Sequence, residues 1–202
     1  MQNLNRSPEH VYIHIPFCLR KCSYCSFYSE VYSASVINEF LDYLLREISL
    51  VKDHFSLKPR TIYFGGGTPS LLKKEELEKI ISSFDISNLE EMSLEANPVN
   101  ITPEFSQDLH DLGINRISLG VQSFLNKELT LLGRLHDQKM IFQAWNILQE
   151  IGFLNLSLDL MYGLPRQKKT ELEFSLLKAL SLDPQHISIY CLSLENNVPL
   201  FS

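Results

Sequence analysis

The chain has 202 residues, a net charge of −6, 45% hydrophobic and 21% charged residues, an ordinary globular balance with enough apolar side chain to bury a core. This excludes a disordered tail, a collagen-like fibre and a disulfide-stapled mini-protein. No apolar run approaches the roughly 20 residues that span a bilayer, no apolar signal segment opens the chain, and the 18 Lys and Arg form no nucleic-acid footprint, so a soluble cytoplasmic protein with no membrane span and no nucleic-acid partner is expected. Residues 11–15 (VYIHI) read as a strand that leads into a loop of cysteines. A helix over 35–52 follows, with Val36, Ile37, Phe40, Leu41, Leu44, Leu45 and Ile48 at helical spacing. A second strand, 61–64, ends in Gly65-Gly66-Gly67-Thr68-Pro69, and the next helix, 73–84, turns Leu77, Ile80, Ile81 and Phe84 inward. The third strand, 91–95, is closed by Asn97-Pro98. Thr102 as N-cap, Pro103 at the first helical position and Gly113 at the C-terminal cap bracket the helix after it. A fourth strand at 116–119 precedes a short helix at 126–132 and a longer one at 137–151 that stops at Gly152. The fifth strand is 154–160, Thr170-Glu171-Leu172-Glu173 reads as a capping box for a helix ending near Leu182, and 186–192 is the sixth strand.

Six β-then-α units, with strands too apolar for one wet face, predict a parallel sheet covered by helices. No linker or shift of composition divides the chain, so one domain over 1–202 is expected. Six units are too few for a closed eight-stranded barrel. A doubly wound sheet and an open partial barrel both fit, and periodicity does not separate them. In either architecture ligands bind at the carboxyl edge of the strands. The cysteines, the glycine run, Glu95, Gln122 and Asp159 all read as lying just after strand C-termini, so the site is expected there.

Three of the four cysteines lie within eight positions, as Cys18-Leu-Arg-Lys-Cys22-Ser-Tyr-Cys25. In a reducing compartment, clustered thiols point to metal ligation or redox work rather than disulfides. Three thiolates from one compact loop can hold three irons of a [4Fe–4S] cluster and leave the fourth iron open, where such clusters otherwise take four cysteines. Arg20 and Lys21 could offset the cluster's charge. A zinc knuckle is the alternative, though it usually pairs two hooks or adds His partners, and buried structural thiols are a third reading. The glycines of the Gly65–Thr68 run would admit a ligand close to the backbone or simply make a tight turn. His14 reads as a buried hydrogen-bonded histidine, Cys191 as a small core residue and Trp145 as packing against the sheet. His136 and Tyr162 lie near the ligand loops without a derivable role.

The string Tyr12-Ile-His14-Ile-Pro16-Phe17-Cys18, continued by Cys22-Ser-Tyr24-Cys25 and a Gly-Gly-Gly-Thr-Pro turn, resembles the radical S-adenosylmethionine superfamily. More narrowly it resembles the HemN/HemW group of oxygen-independent coproporphyrinogen III oxidases and heme chaperones. Leu94-Glu95-Ala-Asn-Pro98, Gly120-Val-Gln122-Ser-Phe124, Leu132-Gly-Arg134-Leu-His136 and Asp159-Leu-Met-Tyr-Gly163-Leu-Pro165 carry the resemblance along nearly the whole chain. It implies an α/β fold, an open (β/α)6 partial TIM barrel of the radical SAM type. It implies Cys18, Cys22 and Cys25 as ligands of a [4Fe–4S] cluster whose open iron takes S-adenosylmethionine. By the same analogy Tyr12, Tyr24, Gly66, Gly67, Thr68, Glu95, Gln122, Arg134 and Asp159 contact that cofactor. Carboxylates at strand ends suit ribose hydroxyls or an amine, and Arg134 suits a carboxylate. Heme or a porphyrin is the implied further ligand, and a flavodoxin or ferredoxin the implied electron donor.

Phe27 stands where the oxidases of the group have a further cysteine, and few residues precede the first strand. Both features, with the Ser193-Leu-Glu195 ending, move the resemblance toward the heme chaperones. Relatives of both kinds carry a C-terminal domain after the barrel, which is not expected within these 202 residues. The expected function is therefore that of a heme-chaperone core, with coproporphyrinogen oxidation or an inert remnant as the alternatives.

Overall fold

The structure is a computed structural model that describes residues 8–196 and 198–201. Six strands form one sheet: β1 (His10–Ile15), β2 (Thr61–Gly66), β3 (Glu91–Ala96), β4 (Arg116–Gln122), β5 (Asn155–Tyr162) and β6 (His186–Cys191). Every pairing is parallel, and the strands lie side by side in chain order. A doubly wound sheet would reverse its winding at a switch point. Sequential order means that each crossover returns the chain to the next place in the same rotational sense. The sheet curls with its helices on one side into an open (β/α)6 partial barrel, and this decides between the two architectures left open by periodicity.

The strands are not apolar on both faces. Ile13, Ile15, Ile62, Phe64, Met92, Leu94, Ile117, Leu119, Val121, Leu156, Leu158 and Leu160 are buried and belong to one core shared with the helices. The alternate positions are Tyr12, His14, Tyr63, Ser93, Glu95, Ser118, Gln122, Ser157 and Asp159. Strict period-two alternation sends them to the opposite, inner face. Register aligns them there, with Tyr12 opposite Tyr63, Glu95 opposite Ser118 and Ser118 opposite Ser157. The parallel sheet is as expected, but its strands are one-sided because the inner wall faces a polar cavity.

The helices are α1 (Ala34–Lys52), α2 (Lys74–Ile81), α3 (Pro103–Asp111), α4 (Asn126–Leu131), α5 (Gln138–Ile151) and α6 (Lys169–Leu180). α1 buries Ile37, Leu41 and Ile48, whereas Val36, at its first turn, stays exposed. The hydroxyl of Thr102 accepts from the Phe105 N–H and the Asp137 carboxylate from the Met140 N–H, so α3 and α5 start where their caps dictate. α5 ends at Gly152 with φ +105, a left-handed residue that satisfies the terminal carbonyls. Its inner face carries Ile141, Ala144, Trp145 and Leu148, each large apolar side chain contributing about 1.5–3 kcal/mol on burial. Trp145 packs in the core as expected. α6 starts two residues earlier than the Thr170 reading, because Glu171 rather than Glu173 reaches back, accepting from the Lys168 N–H at 2.8 Å. β5 begins at Asn155, leaving Leu154 86% exposed.

Candidate cluster and cofactor site

Between β1 and α1 the chain makes the thiol loop. Phe17–Cys18 pairs in parallel with Glu30–Val31, which closes the loop at its base. The Ser23 N–H donates to the Leu132 carbonyl at 3.2 Å and its hydroxyl to that of Leu131 at 2.7 Å. The Arg20 guanidinium donates to the Gly133 carbonyl at 2.7 Å. The Leu200 N–H donates to the Ser23 carbonyl at 2.8 Å. Tyr24 packs against a small second core of Leu132, Met161 and Leu164. The loop is thus tied to the end of α4 and the α4–α5 connection through Arg20 and Ser23.

Beside it lies the glycine turn after β2. The Gly67 N–H donates to the Ile15 carbonyl at 2.8 Å, and a Cβ on Gly67 would sit 2.6 Å from the Phe17 carbonyl oxygen. The close approach that demands glycine here is to the backbone leading into Cys18. That brings the Thr68 hydroxyl to 3.6 Å from the Cys18 sulfur, to which it donates.

The loop, the turn and the inner wall enclose a cavity of about 460 Å3 at the carboxyl edge, within the range of small-molecule sites. Eleven of the twelve residues singled out from the sequence line it: Cys18, Cys22, Cys25, Tyr24, Gly66, Gly67, Thr68, Glu95, Gln122, Arg134 and Asp159. Tyr12 does not. It stands on the inner wall beside Gly65, its ring stacked on Tyr63 and its hydroxyl 3.0 Å from His14 Nδ1. His14 is half-buried rather than fully buried. Cys191 is exposed on β6, the edge strand of the sheet among the described residues, and lines the cavity, so it is not a core residue. Asp159 lies inside β5, three residues short of its end, and Glu95 and Gln122 likewise lie within β3 and β4 rather than after them.

Charge is divided across the cavity. Arg134 donates to the Cys22 sulfur at 3.6 Å and to the Gly120 carbonyl at 2.7 Å, while its Nε is buried with no hydrogen-bond partner among the described residues. Burial pushes the Tyr24 phenol up to about 12, with Arg134 opposing and Cys22 and Cys25 adding to the rise. On the opposite wall Glu95 accepts from the Tyr63 hydroxyl at 2.9 Å and from the Gly66 N–H at 3.1 Å. Burial raises its carboxyl above the ordinary value, against the pull of those two donors. Asp159 accepts from the Ser118 hydroxyl, 3.1 Å from each carboxylate oxygen, and burial raises it too. Tyr63 and Ser118 are hydrogen-bonding neighbours of these carboxylates that local pattern did not reveal; alternation with Tyr12 and Glu95 across the sheet was the available signal.

His136 acquires a place in this frame. It is 3% exposed, its Nε2–H donates to the Val121 carbonyl at 3.0 Å, and burial followed by the nearby Arg134 lowers it to about 4. It therefore braces, as a neutral ring, the irregular end of β4 where Gln122 adopts φ +68. A non-glycine residue in that region is strained, and such strain gathers at functional positions.

The donor set suits a thiolate-bound cluster. Three thiols share one cavity wall, with O–H and N–H donors aimed at two of the sulfurs and Arg20 and Lys21 in the same loop; hydrogen bonds to the sulfurs and nearby charge are the means by which a protein tunes such a group.

Comparison with known proteins agrees with this geometry. Residues 12–178 match the Radical SAM superfamily. The chain is 41% identical over 190 residues to the heme chaperone HemW of Bacillus subtilis, covering 91% of this chain and 50% of that one. It is 35% identical to the heme chaperone HemW of Escherichia coli, covering 94% and 52%. It spans about half the length of the curated relatives it matches. Among solved structures, coproporphyrinogen III oxidase (HemN) from Escherichia coli superposes with a TM-score of 0.86 at 29% identity, covering 98% of this chain and 46% of that one. No helix among the described residues is long and apolar enough to cross a membrane. With a matching profile over most of its length, the fold of its solved relatives and three thiols at the mouth of an open barrel, this chain belongs to the radical SAM superfamily.

Proposed function

We propose that the chain is the cluster- and S-adenosylmethionine-binding part of a HemW-type heme chaperone. The observation that carries this reading is the convergence of eleven sequence-selected residues on one cavity, thiols on one side and carboxylates on the other. Cys18, Cys22 and Cys25 would hold a [4Fe–4S] cluster, which when bound supplies a single electron to the sulfonium of S-adenosylmethionine. Arg134 suits the cofactor's carboxylate, Glu95 and Asp159 its ammonium and ribose hydroxyls, and the Gly66–Gly67–Thr68 turn the backbone contact. Tyr24, Gln122 and, from the inner wall, Tyr12 complete the set.

Similarity to known proteins favours the chaperone over coproporphyrinogen oxidation. The cations of the lining, Arg20, Lys21 and Arg134, all belong to the thiol loop or contact it, while the inner wall presents Glu95 and Asp159. The 41% identity over 190 residues is to a heme chaperone, against 35% to an oxygen-independent coproporphyrinogen-III oxidase-like protein. The test is anaerobic reconstitution with iron and sulfide, then EPR of the reduced protein with and without S-adenosylmethionine, followed by heme titration. A [4Fe–4S] signal altered by S-adenosylmethionine, together with saturable heme binding, is expected. A cluster indifferent to S-adenosylmethionine, or conversion of coproporphyrinogen without heme affinity, overturns the reading.

A further inference from the structure

Gln122 is held in a conformation that its residue type does not favour. The Ser123 N–H donates to the Val121 carbonyl at 2.9 Å, and φ at Gln122 is +68, which together make the strained form of the γ-turn. The turn folds the side chain back over Gly120. A Cβ built on that glycine would lie 3.2 Å from Gln122 Nε2 and 3.3 Å from Arg134 Nη2, so two side chains assigned to the cofactor stand together over one glycine. Of the nine buried polar side chains among the described residues, Glu128 and His136 are the two with an ionisable group, and they flank this turn. His136 holds the Val121 carbonyl on one side. On the other, the Glu128 carboxylate accepts the Ser123 hydroxyl at 2.5 Å. Its second oxygen accepts the Gln167 amide at 3.1 Å, and Gln167 Oε1 in turn accepts the Gly163 N–H at 2.9 Å.

We propose that Glu128 is a positioning residue for S-adenosylmethionine: by fixing Ser123 it holds the strained turn that presents Gln122 beside Arg134. The inference rests on the reading of Gln122 and Arg134 as cofactor contacts, and it adds a residue that does not line the cavity. A carboxylate 4% exposed is costly to bury unless donors satisfy it, and starting α4 does not account for that cost. A glutamate at the third helical position ordinarily caps by accepting the N–H of the N-cap residue. Here the Leu125 N–H donates to the Ser123 hydroxyl at 3.0 Å, and the carboxylate turns inward to Ser123 and Gln167. An exposed cap would start the helix equally well. Burial adds permanence, because a hydrogen bond to a carboxylate is strong and water does not reach this one to compete for it. Ser123 is left with one arrangement, and so is the turn it closes. Without that anchor Gln122 relaxes toward the negative φ it prefers. The cofactor then meets both side chains in place in a smaller fraction of molecules, and its apparent affinity falls by that fraction.

The experiment uses the whole chain, loaded anaerobically, kept oxidised and matched for iron. Affinity for S-adenosylmethionine is measured by equilibrium dialysis, and Tm by circular dichroism, for the parent, Ser123→Ala, Glu128→Met, the double variant and Ser106→Ala. Glu128→Met fills the same space without an acceptor. Ser106 is as fully buried as Ser123, yet its hydroxyl has no hydrogen-bond partner among the described residues, so Ser106→Ala measures the substitution alone and should bind like the parent. Both single variants should weaken affinity about tenfold at equal iron, and the double variant no further, because Glu128 acts through Ser123. A role confined to starting α4 would lower Tm and leave the affinity of Ser123→Ala within about twofold of the parent, and that result overturns the proposal even if Glu128→Met fails to fold. Additive weakening in the double variant overturns it as well, since the two residues would then act separately. Absence of binding by the loaded parent would instead overturn the cofactor reading on which the proposal rests.

Discussion

Gly67→Ala tests how the thiol loop is positioned. The added Cβ would stand 2.6 Å from the Phe17 carbonyl oxygen, 2.8 Å from its nitrogen and 3.0 Å from its carbonyl carbon, where ordinary contact begins at 3.4 Å. All three atoms are backbone, so no rotamer change relieves the overlap, and either the glycine turn or the start of the thiol loop has to move by several tenths of an ångström. Overpacking of this kind costs about 1–3 kcal/mol, and for a chain of this size each kcal/mol lowers Tm by about 2–4 °C. A drop of about 2–12 °C follows. Displacement of Phe17 also displaces Cys18, so iron uptake on reconstitution should fall. Gly113→Ala is the informative control. Its φ is +83 but nothing lies within 4 Å of the added Cβ, so it pays about 1–2 kcal/mol of backbone strain alone and should load iron like the parent. Circular dichroism melts and iron analysis on the three proteins decide the matter. A Gly67→Ala protein that melts and loads like the parent refutes the account of the turn.

Cys22→Ala should abolish bound iron while leaving the far-ultraviolet circular dichroism nearly unchanged, because the loop is held by Ser23, Arg20 and Leu200 rather than by its sulfurs; a full cluster in the variant would show that the ligands are misassigned. His136 gives a pH signature. Its folded value near 4 lies below the ordinary 6.5, so above pH 6.5 its contribution is intact. As pH falls from 6.5 toward 4 the unfolded chain binds a proton that the folded chain refuses, and up to about 3 kcal/mol is lost. His136→Gln should flatten that part of the denaturant-measured stability curve relative to the parent, and parallel curves would count against a buried neutral ring.

The order and type of the elements were legible in the sequence because the forces that set them are local. Thr102, Asp137 and Gly152 sit within one turn of the helix ends they determine, period-3.6 and period-two patterns span a dozen residues, and the three cysteines share one loop. Sequential strand order, which separates an open barrel from a doubly wound sheet, depends on backbone pairing between distant segments; no local pattern encodes it, the resemblance implied it, and the tertiary structure shows it. The one-sidedness of the strands was decided by tertiary structure alone, since a polar inner position reads as an interruption until the opposite strands supply matching ones. The contacts that tune the site are long in sequence: Tyr63 reaches Glu95 across 32 residues, Thr68 reaches Cys18 across 50 and Arg134 reaches Cys22 across 112. Asp159 inside its strand, Tyr12 outside the cavity and Cys191 on an exposed edge are consequences of the same kind. By itself the sequence singled out the residues proposed to carry the chemistry. Their arrangement around one cavity, charge divided between its walls, required the closure of the sheet, because only packing brings separate strand ends to one edge.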